Sequence, residues 1–468
     1  MLLRSAYSLG VILVAVLTAR AQPIMPEPLP DPRIPGFQFP ESEAAITGWI
    51  AAMTRALPAA PVGAANIHLH GWGLWTALTA ETTQVYAGQA LRVFETWRTP
   101  DELASVGLTP SAARVRARTP LGKLAQLGLL EEATDGRAAL DEGSTIGRVM
   151  GFVKFDPTAA AHITSQQLLS RAALSTLLDA GAQQVPAFPA TALVVKPVFQ
   201  VITAKDLLNA RYYPLKIWRG PPETPQAWAP SQWPGTGWID VYGAGRGNGA
   251  VDEVAEADGS TRTEENTYPI SSLINYLLSA ADAAAVNQDK PGTGATVGDY
   301  AILVAMHVSG REIARWTWHT FWWTPTPDDP REPSSVAIAR CRPPQLRGAA
   351  RNYAMALAYT MLTPDQPYVG GENSGVSVYA YNPWIEARLG PAELPDSLPG
   401  SDGHGGLTAN NFGVQSNCMS CHARANYNPN LRATVPRFSG ARYTDLGDAK
   451  FVGTLQVDFL WSLARHAQ

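Results

Sequence analysis

Three cysteines in 468 residues cannot staple a fold of this length, and two of the three lie in one pentapeptide, Cys418-Met419-Ser420-Cys421-His422. Cys341 stands alone. The chain must therefore be held by an apolar core, and its 46% hydrophobic residues are enough to form one. Large aromatic anchors are available in 14 Trp, while 38 Pro and 40 Gly imply many turns and long loops between them. The length suits one large domain or two to three of ordinary size.

The chain opens MLLRSAYSLGVILVAVLTARAQP, with Arg4 as a positive n-region, an apolar run from Leu9 to Leu17, and Ala19-Arg20-Ala21 as a small-x-small cleavage site. That pattern predicts a secretory signal peptide over 1–21 and a periplasmic mature protein. A retained anchor is the competing reading, but the run falls short of the roughly 20 residues that cross a bilayer, and no transmembrane segment is expected in the mature chain. Cleavage after Ala21 removes Arg4 and Arg20 and moves the formal charge from -4 to -6. This mild acidity argues against nucleic acid as a partner.

Composition and periodicity divide the rest. Residues 22–40 are so rich in proline that an extended, exposed lead-in is expected. A body over 41–390 follows, and a C-terminal segment, 391–468, carries the cysteine motif. Helical spacing is read from Ser42 through EAAITGWIAAMTRAL, over 165–178, 271–280 and 349–361, and in a final helix starting near Asp448. The runs TALVVKPVFQVI, YYPLKIW, WIDVYG, DYAILVAMHV and REIARWTWHTFWW are rich in β-branched and aromatic residues and read as strands. Ser309-Gly310 is read as the turn of a hairpin between the last two. The expected class is α+β: a central, largely antiparallel sheet, helices at both ends of the chain, and haem attached on a C-terminal loop or helix segment. Two long loops interrupt this pattern, from Gly243 to Thr267 and over the stretch leading to Cys418. The GAGRGNG stretch at 243–249 is read as a turn, because no helix follows to make it a phosphate loop.

C-x-x-C-H is the spacing of covalent haem attachment. Two thiols add to neighbouring vinyl groups of one porphyrin, and the adjacent imidazole is carried beneath the iron. On this reading Cys418 and Cys421 hold one haem c and His422 is the proximal iron ligand. A dithiol redox pair or a zinc site are the competing chemistries; the first does not need the histidine and the second needs two further ligands. No methionine follows Met419, and fewer than about fifty residues remain, so the haem walls and any sixth ligand must come from earlier in the chain.

Candidates for that ligand are His307, His70 and Met306. Met306-His307 ends an apolar strand whose alternation turns one of the two inward. His68 and His70 form an H-x-H pair that an extended stretch would place on one face. Each has an ordinary structural reading as well, a hydrogen-bonded histidine or a packed methionine. His319 reads as a polar handle in an aromatic wall, His404 as a solvent-exposed loop residue, and the Trp316, Trp318, Trp322 and Trp323 cluster as core packing or a haem edge. Cys341 reads as a quiet buried thiol.

In these residues the chain resembles a family of exported bacterial monohaem c-type cytochrome-like proteins. The resemblance rests on HLHGWGLWTALTA with FETW downstream, VVKPVFQVI, AMHVSGREIARWTWHTFWW, VYAYNPWIEA, SNCMSCH and QVDFLWSL, spread from about Ile67 to Leu463. It implies haem on Cys418 and Cys421, His422 as proximal ligand and a periplasmic location, and it adds weight to His307 and His70. The expected function is electron transfer with periplasmic redox partner proteins. The alternatives are a haem enzyme with an open distal site acting on a small molecule, and a partner-binding module using the acidic run 252–265.

Overall fold

The computed structural model describes residues 24–55, 62–104, 149–243, 245, 247, 261–391, 394, 400–401, 407–408, 412–429 and 440–467. The segment 1–21 read as a signal peptide, His404 and most of both long loops lie outside the described residues. The described part is α+β.

Its centre is a seven-stranded antiparallel sheet. Tyr353–Ala358, Thr317–Trp323, Tyr300–Gly310, Leu193–Ile202 and Val149–Gly151 lie side by side, with Lys154–Phe155 also on 193–202 and Asn275–Leu277 also on 300–310. Strands 193–202 and 300–310 read as near-continuous apolar runs because both sheet faces are covered. A second sheet of three strands, Tyr212–Ile217, Gly235–Asp240 and Thr267–Pro269, packs beside it, its last pair parallel.

Two cores pack on the central sheet, and the larger draws on both of its faces at 301–306 and 321–323. One contains Met306, Phe321 and Met355 from the sheet with Trp72 and Trp75 from the helix Val62–Leu78. The indole of Trp75 stacks on Phe321 at 4.2 Å. That helix approaches closely through Gly71, where a Cβ would stand 2.7 Å from the Met355 sulfur. The other core contains Trp318, Ala358 and Val194 from the sheet with Met419, Leu455 and Leu463 from the C-terminal segment.

Several expectations are corrected. The stretch holding His68 and His70 is helical, so the pair does not share a strand face. Residues 353–358 form a strand instead of a helix. Ala354 and Ala358 lie opposite Trp322 and Trp318, so small side chains face large ones, and that fit overrides the helical preference of alanine. Over 271–280, strand 275–277 precedes the helix Ala280–Asp289, which begins at a Ser279 cap. The expected helix over 165–178 divides into Pro157–Ser165 and Arg171–Asp179. Strand pairing continues through Ser309 and Gly310, and the reversal falls at 311–316 with Trp316 at φ 60°. In the tail, helix Trp461–His466 forms, while 449–451 is a single 3-10 turn and 455–456 a short strand. The proline-rich lead-in is extended but docked: Ile24 and Ile34 are buried, and the Glu27 carbonyl accepts from the Trp97 indole at 2.8 Å.

Candidate functional site at the Cys418–His422 helix

The motif forms one short helix, Cys418–His422. Asn417 caps it, its side chain accepting from the Ser420 N–H at 3.1 Å. The same side chain donates to the carbonyls of Val378 at 2.7 Å and Thr360 at 3.2 Å, and the Cys418 N–H donates to the Ala380 carbonyl at 3.1 Å. These bonds pin the helix start to the segment beyond strand 353–358. At its far end the Trp461 indole donates to the Cys421 carbonyl at 3.4 Å.

His422 is held from two sides. Its ring lies against the Trp318 indole, centroids 4.2 Å apart, and its Nδ1 donates to the Phe459 carbonyl at 2.7 Å. That carbonyl is aimed by a tight reversal in which Asp458 and Phe459 both have positive φ, 44° and 66°. The buried Asp458 carboxylate fixes the reversal: it accepts from Arg311 Nε and from the Phe188 N–H, each at 3.0 Å. With Nδ1 donating, the lone pair is left on Nε2, and burial moves the imidazole pKa down to about 4, so the ring is neutral at neutral pH. A neutral imidazole oriented by a backbone carbonyl is the state that ligates a metal.

Neither thiol is in a disulfide, and burial pushes Cys418 well above the usual thiol range, with Glu386 and Cys421 adding to the rise. The low-pKa thiolate of a redox dithiol is not what this helix provides. Among the described residues no three His, Cys, Asp or Glu side chains gather to hold a bare metal ion, so the four-ligand zinc alternative has no ligand set there.

Beside the helix the cover of the sheet opens. Strands 193–202 and 300–310 are buried along their length except at Tyr300 and at Lys196 and His307, which are directly paired across the two strands. His307 shares a face with Ser309, whose partner Trp318 carries His422, so Lys196 and His307 open toward the motif. His307 Nε2 meets Glu386 Oε1 at 3.1 Å. Burial acts to raise the Glu386 carboxyl, but His307, the Asn382 N–H and Lys196 outweigh it and hold it below the ordinary carboxylate range. Burial lowers Lys196 to about 8, the Glu386 charge opposes that fall, and Arg465 and Arg388 add to it. The opening thus combines three cations, one acid and one histidine next to a half-buried C-x-x-C-H helix.

These residues fit a haem. The thiols form no disulfide, the imidazole presents Nε2, Trp318 and Phe459 form apolar walls, and Lys196, with Arg388 and Arg465 near it, would supply positive charge for propionate carboxylates.

Of the other predicted ligands, Met306 pairs with Phe321 and faces the opposite core. His70 also lies there, in a buried network. Its Nδ1 meets the Tyr359 hydroxyl at 2.6 Å, its Nε2 lies 3.0 Å from Glu312, and His319 Nε2 meets the same hydroxyl at 2.8 Å. The sheet separates both residues from Cys418. The Cys341 sulfur lies 3.9 Å from His68 Nδ1 and burial raises its pKa, as suits a quiet thiol. Sequence reasoning missed Lys196, Glu386 and the Arg311–Asp458 pair. A lysine inside the apolar run VVKPV was a legible signal; the other two depend on chain segments far apart in sequence.

No family model matches the chain, and neither the curated proteins nor the solved structures yield a match.

Proposed function

We propose that the protein is an exported, periplasmic c-type cytochrome with one haem bound covalently to Cys418 and Cys421 and His422 as its proximal ligand. The observation that carries this reading is the His422 Nδ1 bond to the Phe459 carbonyl, which leaves Nε2 as the coordinating atom at the end of a helix bearing two thiols that form no disulfide. When bound, haem supplies a one-electron couple. The chain's own contribution is to orient His422, wall the ring edge with Trp318, and set the local field with Lys196, Glu386, Arg388 and Arg465. Electron transfer with periplasmic partner proteins is the function these parts support best. The resemblance of its sequence blocks to exported monohaem cytochrome-like proteins is a further support for this reading.

A second reading has its own observation. His307 Nε2 meets Glu386 Oε1, so His307 would be committed to that carboxylate and could hold or pass a proton for a small molecule instead of supplying a second iron ligand. Visible spectra of the reduced holoprotein with and without carbon monoxide separate the two. Unchanged bands mean two protein ligands and an electron carrier. A strong shift means an open site and favours an enzyme.

A further inference from the structure

A cavity of about 410 Å³ lies between the hairpin Glu81–Tyr86/Gln89–Arg92, the 3-10 turn that follows it, and the segment 271–276. It is remote from the cysteine motif. Tyr276 pairs with Ala301, six positions before His307 on strand 300–310, or roughly 20 Å along the strand.

Two of its lining side chains are buried polar groups with unused capacity. Glu95 is 3% exposed; its Oε2 accepts from the Arg92 N–H at 2.6 Å, while Oε1 has no hydrogen-bond partner among the described residues. Tyr276 is 5% exposed and its hydroxyl likewise lacks a partner there. Burial pushes the Glu95 carboxyl above its usual range, so a ligand that brings a charged donor to Oε1 would also hold it ionised, and a hydrogen bond to the phenol would relieve the second unsatisfied group. The rim adds the opposite charge. The Arg92 guanidinium lies 3.9 Å from Glu95 Oε2, too long for a hydrogen bond, so its fork of N–H groups is available. Leu91, Leu273 and Ala90 give the cavity an apolar side.

Glu95 and Arg92 a few ångströms apart, with a second acid, Glu81, also in the lining and short aliphatic walls, match a molecule that carries an ammonium and a carboxylate on neighbouring carbons. A bare divalent cation fits poorly, because Arg92 repels it and no third acidic or imidazole ligand stands in the lining. We propose that this cavity binds a small zwitterion of the α-amino acid class, with the ammonium on Glu95 Oε1 and the Tyr276 hydroxyl and the carboxylate on Arg92. The site does not depend on haem.

The test is isothermal titration calorimetry of the purified full-length protein against the proteinogenic L-amino acids, with propylamine, propionate, calcium and zinc as comparison probes. At least one amino acid binds saturably, and the amine, the carboxylate and the metals do not. Glu95→Gln weakens that binding about tenfold or more, since a charge-assisted bond is lost. Tyr276→Phe weakens it by a smaller, measurable factor and carries the test if the first variant does not fold. The proposal is overturned if no amino acid binds at millimolar concentration, if propylamine or propionate binds as well as the amino acid, if a metal alone binds, or if every variant that folds binds like the parent.

Discussion

Lys196 is costly where it stands. It occupies a strand otherwise buried end to end, and burial has moved its pKa down to about 8. A charge kept in such a place against its own solvation points to use, which under the proposed function would be as counter-charge for a propionate. Lys196→Met should therefore raise the thermal stability of the haem-free chain, by about 1 kcal/mol, while lowering the reduction potential of the holoprotein. Calorimetry and a redox titration read the two effects separately. An unchanged potential would mean that Lys196 does not face the haem.

Two other histidines, the buried His319 and the half-buried His68, set an acid limit. Burial holds His319 well below the usual imidazole range, with His70 adding to the fall, and burial lowers His68 to about 4. In the unfolded chain both take up protons below about 6.5, so the unfolded state gains on the native one as pH falls. Stability is full above pH 6.5 and is lost progressively toward pH 4, by up to about 1.4 kcal/mol per pH unit for each group. Urea midpoints at intervals from pH 7.5 to 4.5 should fall along this slope, and His319→Gln should flatten it.

Among the elements, the reversal at 457–460 does most to connect the tail to the site. It holds no regular secondary structure, yet Asp458 ties it to Arg311 and Phe188, and the adjacent Phe459 carbonyl sets the His422 tautomer. Asp458→Ala leaves the Arg311 guanidinium without that buried partner and should cost about 3–5 kcal/mol in urea unfolding. The same variant should broaden the visible bands of the holoprotein, as the proximal imidazole loses its fixed orientation. Asp458→Asn, which keeps an acceptor, should restore most of the band shape and only part of the stability.

What the sequence disclosed about these elements follows the range of the interactions involved. Strands 193–202 and 300–310 were legible because a run of apolar β-branched residues needs no distant information to read as a buried strand. Strand 353–358 was not, because AMALA is a run of helix formers and becomes a strand only through Trp318 and Trp322 on its neighbour. The C-x-x-C-H motif names its three residues by spacing alone. That His307 faces it and Met306 does not is fixed by strand register and by which face the tail covers, and neither is local.

At the scale of the whole molecule the central sheet acts as a partition. One face carries the His70, Tyr359, His319 and Glu312 network against the helix Val62–Leu78; the other carries the tail, the motif and the Lys196–His307 opening. Substitutions on the two sides should therefore separate by readout. His70→Ala should lower stability and leave the haem absorbance where it was, whereas His307→Ala should shift the absorbance or its response to carbon monoxide at little cost in stability. A spectrum altered by His70→Ala and untouched by His307→Ala would reverse the assignment of the faces.

The most direct measurement is the intact mass, under denaturing conditions, of protein secreted from cells that carry a cytochrome c maturation system. The account predicts a chain heavier by one haem, with the addition mapping to the peptide that contains Cys418 and Cys421 and absent when both are replaced by alanine. A secreted chain of unmodified mass, or haem that separates from it on denaturation, would contradict it.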